Sequence, residues 1–258
     1  MLKELLIWLY VISWQVLRAC SAVLLLIAAV LYAGAVAQSL YKSMNYVYVP
    51  KDPVVCGKMA GEVYRFSRLY FPFWPEYEGA SSFDPDFVNN KKGCDANLRS
   101  VFLSMTWPGL EPAEDRLIFE QGLDHEGLLV GVSPIKGRGG DLRLQRDHLL
   151  SKMPPENTLK SYDPVMNLYR ADAFSRGMAQ ESMRIYWSES EGEVTSVFDC
   201  YWRPSEPNFF ACKMTFVVFD ALLVDAIMRT DKLWRWEMIK GELEGFLIHA
   251  KKKVVQLN

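Results

Sequence analysis

The stretch MRIYWSESEGEVTSVFDC (183–200) carries the fold reading. Ser182 to Trp187 and Val194 to Cys200 are rich in aromatic and β-branched residues, and the acidic turn SESEGE (188–193) with its glycine lies between them. This is a β-hairpin signal. Downstream, Cys212 to Phe219 and Leu222 to Met228 read as two more strands around Asp220-Ala221. Upstream, Val101 to Met105 reads as a strand ending at Trp107-Pro108, and GLLVGV (127–132) as a buried strand broken by Ser133-Pro134. After the strands comes an amphipathic helix. Thr230 or Asp231 can accept from its first free N–H groups, and Leu233, Trp236, Ile239, Leu243, Phe246, Leu247 and Ala250 recur on one face. His249 and Lys251 to Lys253 sit where the helix dipole favours positive charge, as a solvated helix end. Strands closed by one helix predict an α+β fold, an antiparallel sheet with a C-terminal helix burying its stripe on it.

The rest of the body is less regular. Residues 41–98 read as irregular apart from a short helix over Gly61 to Leu69, and LYFPFWPEYEG (69–79) reads as a loop whose aromatics pack on the core. KGRGGD (136–141) is a flexible loop without the spacing of a phosphate loop. Asp141 to Met153 has helical character and is closed by Pro154-Pro155, which marks a candidate subdivision of the body near residue 155.

Charge is distributed unevenly. Of the 29 basic and 31 acidic side chains, residues 1–42 hold only Lys3, Arg18, Lys42 and Glu4. Ala19 to Leu40 is free of charge and, as a helix, about 33 Å long, enough to cross a bilayer. The sequence thus predicts an N-terminal transmembrane helix over 19–40 within an anchor of residues 1–42, followed by a soluble domain over 43–258. Ala35-Val36-Ala37 fits a cleavage site before Gln38, but the long apolar approach favours an uncleaved anchor. Flanking charges do not decide the topology.

The cysteines vote for a compartment. Cys20 falls in the apolar run, leaving Cys56, Cys94, Cys200 and Cys212 in the body. An even number of thiols behind a membrane leader fits two disulfides in an oxidising space. Pairing neighbours in sequence is one of three connectivities. The expected placement is a single-pass membrane anchor with the body in an oxidising compartment.

Enzyme chemistry finds little foothold. There is no G-x-S-x-G, H-E-x-x-H, C-x-x-C or dinucleotide fingerprint, and His125, His148 and His249 are scattered. Glu111, Glu114 and Asp115 read as solvated turn acids. The expectation is a non-enzyme with no cofactor and no metal, and a net charge of −2 gives no general attraction to nucleic acid.

Four stretches together support a family resemblance: VFLSMTWPGLEPAEDRLIF (101–119), the hairpin at 183–200, CYWRPSEPNFFACKMTF (200–216) and LWRWEMIKGELEGFLIHA (233–250). The chain resembles bacterial envelope proteins encoded beside type VI secretion toxins, which act as immunity proteins. That resemblance implies a disulfide Cys200–Cys212, a cognate secreted toxin as the partner, and a place in the bacterial inner membrane, single pass, with the body in the periplasm; it carries over no catalytic residue. Candidate contact residues are Arg138 and Asp141 in the glycine-rich loop, Glu189, Glu191 and Glu193 in the acidic turn, and Tyr201, Trp202 and Arg203 after Cys200. The alternative from another class is a non-catalytic envelope scaffold.

Overall fold

Ser190 and Glu193 face one another across a two-residue turn, Glu191-Gly192, whose φ angles are both positive (54° and 82°). That geometry matches the right-handed twist of a hairpin. It joins β8 (Ser182–Ser190) to β9 (Glu193–Trp202), as expected from the sequence. In the computed structural model the described residues are 31–32, 53–113, 127–153, 158–174, 182–202 and 210–251. The chain divides into two compact units, Met1–Val49 and Pro50–Asn258.

The second unit is built from eleven strands and two α-helices among the described residues. Besides β8 and β9, the strands are β1 (Val54–Met59), β2 (Glu62–Ser67), β3 (Glu76–Tyr77), β4 (Leu98–Met105), β5 (Leu128–Pro134), β6 (Thr158–Asp163), β7 (Leu168–Phe174), β10 (Phe210–Val218) and β11 (Leu222–Arg229). The helices are α1 (Leu142–Ser151) and α2 (Trp236–Ala250). β1 and β2 form a separate hairpin, and the other nine strands make one sheet in the order β3-β4-β5-β11-β10-β9-β8-β7-β6, with every pairing antiparallel.

Strand alternation gives the sheet two faces. On the first, Leu103, Val130, Ala226, Met214, Phe198 and Tyr186 lie side by side across six strands, all buried. The helical stripe foreseen in the sequence joins this core, with Leu233, Trp236, Ile239, Leu243 and Leu247 all buried. Trp236 meets Phe198 edge-on at 5.6 Å, and its indole N–H donates to Met166 O at 2.9 Å. The β1–β2 hairpin adds Tyr64 and Phe66, and Phe246 stacks on Phe66. On the second face, Leu142 and Leu149 of α1, with Met153 just after it, are buried over Ala171, Ile185, Trp187 and Val197.

Several expectations need correction. The fold is mostly antiparallel β with a C-terminal helix, and the expected transmembrane helix gains no support. Among the described residues no helix is long and apolar enough to cross a membrane. Apart from the helical Leu31 and Tyr32, the run 19–40 lies outside the described residues, as do the proposed cleavage site and Cys20. Gly61 to Leu69 is not a helix: Tyr64 and Phe66 point inward and Arg65 outward, a two-residue period, so the segment is β2 followed by a 3-10 turn, Arg68–Tyr70. Ser133 and Pro134 do not break β5 but finish it, opposite Leu223 and Leu222. The C-terminal helix has no side-chain cap at Thr230 or Asp231, because a 3-10 segment, Thr230–Arg235, leads into it. The hairpin of β6 and β7 was not anticipated; Asp163 Oδ1 accepts from the N–H groups of Val165 and Met166 to close its turn, and Asn167 takes a positive φ of 55°.

Both body disulfides join sequence neighbours, Cys56 to Cys94 and Cys200 to Cys212. Cys200 and Cys212 stand directly opposite each other on β9 and β10, with Cα atoms 4.1 Å apart.

Candidate partner-binding surface

The acidic turn and the glycine-rich loop meet through α1. Asp141 Oδ1 accepts from Leu144 N–H at 3.1 Å, capping the helix. Two residues after Asp141, Arg143 Nη2 donates to Gly192 O at 3.1 Å and to Glu193 Oε1 at 3.2 Å. Arg146 Nη1 donates to Glu189 Oε1 at 2.7 Å, which also accepts from the Trp187 indole at 2.9 Å. Asp141 is therefore engaged in capping α1, and Glu189 and Glu193 fix that helix to the hairpin. Glu191, at the tip, and Arg138, in the loop, are exposed.

Tyr201 belongs elsewhere. It lies eight residues along β9 from Glu193, about 26 Å at the rise of a strand. Its hydroxyl donates to Asp199 Oδ2 at 2.6 Å, while Asp199 Oδ1 is buried without a hydrogen-bond partner. Trp202 pairs through its backbone with Phe210 and Ser182. Its side chain and Arg203 lie outside the described residues. The eight candidates thus do not form one patch.

Between these regions the second face carries polar side chains. Gln145 of α1 donates to Thr215 Oγ1 at 3.2 Å, and Thr215 donates to Asp225 Oδ1 at 2.5 Å. Gly131 lies between Asp225 and the ring of Phe102, and a Cβ there would touch both at an ordinary contact distance of 3.8 Å. On the first face, Asp172 is buried between Arg170 and Arg184, and its hydrogen bond holds the Arg170 guanidinium above its ordinary pKa. Burial raises the Tyr186 hydroxyl nearby.

Two features were missed by sequence reasoning. In the aromatic loop, Phe71 and Tyr77 are buried as expected, but Phe73 and Trp74 are 46% and 57% exposed and Phe83 is 84% exposed. The buried Arg68 shapes this loop: it donates to Phe71 O at 3.0 Å and to Phe73 O at 3.3 Å, with its guanidinium 4.6 Å from the Trp74 ring centre. Phe73 reaches Phe83 at 6.5 Å and Phe102 at 6.2 Å. The second feature is a cleft of about 320 Å³ between the ends of β4, β5 and β11 and the glycine-rich loop, lined by Arg99, Ser100, Ser133, Lys136, Gly139 and Leu223 among others. The alternating prolines and aromatics were the available signal for the first; the cleft joins residues more than a hundred positions apart and left no local trace.

Among the described residues no group of three or more His, Cys, Asp or Glu could hold a metal ion. His148 is exposed on α1, and His249 Nδ1 lies 2.7 Å from Gly245 O.

A mostly antiparallel β body closed by a C-terminal helix is thus the class that the fold defines. No protein-family model and no curated protein matches the sequence. Among solved structures, the chain is similar to Smlt3025, an immunity protein of the Stenotrophomonas maltophilia type IV secretion system, with a TM-score of 0.52 and 12% identity over 78% of this chain and 94% of that one. A weaker likeness, at TM-score 0.42 and 10% identity, is to the Neisseria meningitidis iron-regulated outer membrane lipoprotein FrpD, covering 77% of this chain and 92% of that one.

Proposed function

We propose that this chain is an immunity protein that binds and neutralises a toxin delivered into the bacterial envelope by a type VI secretion system. The observation that carries the reading is the fold shared with an immunity protein of a secretion system over nearly the whole of that protein. The four sequence stretches that resemble type VI immunity proteins favour that system. Two disulfides in the body support residence in the oxidising periplasm, where such a toxin would arrive. Neutralisation is by binding rather than catalysis, because blocking a toxin requires complementary surface and not reacting groups.

The test is protection. A candidate toxin is expressed in the periplasm with and without the chain, and survival and co-purification are measured. Survival with a stable complex is the expected result. Loss of viability in both strains, with no complex, would sink the reading, and a toxin exported by a type IV system would correct the system.

A further inference from the structure

We propose that the cleft at the glycine-rich loop and the aromatic surface beside it form one docking surface, and that its occupant is an acidic segment of a protein carrying an apolar side chain next to its carboxylate. This deepens the toxin-binding reading and rests on it for the identity of the partner.

Continuity comes from the strands. Val101 pairs with Val132 and Phe102 with Gly131, so Ser100 and Ser133 of the cleft lie one step along the same face from Phe102. Phe102 in turn touches Phe73, which touches Phe83. Cleft and rings are thus neighbours on one side of the sheet.

Chemistry comes from the charges. Arg99 and Lys136 line the cleft, and Arg138 stands in the same loop. No carboxylate of the described residues lies within ion-pair distance of any of the three, whereas Arg143 and Arg146 on the adjacent helix are both paired. Arg99 spends one N–H on Gly79 O at 3.4 Å and keeps its remaining donors. Unpaired cations around a concavity select an anionic group, and exposed large rings beside it select apolar contact. Large rings held in place by a buried cation, here Arg68, are also preorganised for contact. A nucleic acid would need a longer basic track than three side chains supply.

The experiment uses the full chain and displayed peptide libraries of random sequence, so it needs no toxin. Wild-type protein is expected to enrich peptides with Asp or Glu next to Phe, Leu or Trp. Those peptides should bind R99E/K136E and W74S/F83S at least about tenfold more weakly, and binding to the wild type should weaken as salt rises. Lys136 is exposed in its loop, so K136E alone serves if the double variant fails to fold. Peptides without acidic enrichment, peptides that bind the variants as tightly as the wild type, or a poly-dT oligonucleotide that displaces them from the same residues would each overturn the proposal. Failure here with protection intact removes the docking surface alone; peptide binding without protection removes the immunity reading instead.

Discussion

Arg146 Nη1 lies 2.7 Å from Glu189 Oε1, tying a helix to a hairpin turn more than forty residues away. Neither side chain is widely exposed, at 18% for Arg146 and 29% for Glu189. The shared Trp187 indole donor makes the carboxylate a two-way acceptor. Glu189→Gln should therefore cost about 1 kcal/mol of stability, most at low salt, since it removes a charge-assisted bond at a partly buried site. Glu191→Gln, at the open tip, should be neutral. Urea unfolding at two salt concentrations checks both, and equal effects would show that the turn is not held by α1.

The disulfides differ in access. Cys94 is exposed, whereas Cys200 and Cys212 are both fully buried. A mild reductant in native buffer should open Cys56–Cys94 first and leave Cys200–Cys212 until the sheet itself opens. Timed alkylation with mass spectrometry reads the order. The loops closed have separations of 38 and 12 residues, so chain entropy alone assigns losses of about 4 and about 3 kcal/mol to the paired Cys→Ser variants.

Glycines give opposite predictions. A Cβ on Gly57 would stand 2.5 Å from Leu98 Cγ, where β1 crosses β4 and Lys58 N–H donates to Ala96 O at 2.8 Å. Gly57→Ala should cost about 1–3 kcal/mol through overpacking. Gly241 lies within α2 with nothing within 4 Å of its ideal Cβ, so Gly241→Ala should stabilise by up to about 1 kcal/mol. Thermal melts of the two variants should shift in opposite directions.

What the sequence made legible follows from the range of the interaction. The β8–β9 hairpin was readable because Glu191-Gly192 supplies its own turn geometry between β-prone segments. The β10–β11 turn was weakly marked, because Phe219 and Asp220 both adopt positive φ without a glycine, held there by the paired strands. β1 was read as irregular and β2 as a short helix, because their tight turn at Ala60-Gly61 is followed at once by a loop of prolines and aromatics. At the candidate surface, local exposure of the acidic turn was foreseen. Its capture by Arg143 and Arg146 was not, since that depends on where α1 crosses the sheet. The same holds for the cleft, whose cations become neighbours only after β4 and β5 pair.

Alkali should destabilise the protein through its buried tyrosines. Burial is the leading cause that raises the hydroxyls of Tyr64, Tyr70, Tyr77 and Tyr186 above the ordinary value of 10.0. In the unfolded chain these groups lose their protons near pH 10, while in the folded chain they keep them to higher pH. The unfolded state therefore binds fewer protons above pH 10, and stability falls as pH rises. Their contribution is fully present below pH 10 and is lost as pH climbs through the raised folded values. Urea midpoints should be flat from about pH 8 to 9.5 and then decline, with tyrosinate absorbance rising in step with unfolding. Absorbance that rises fully at pH 10 while the fold persists would show that these hydroxyls are open to solvent.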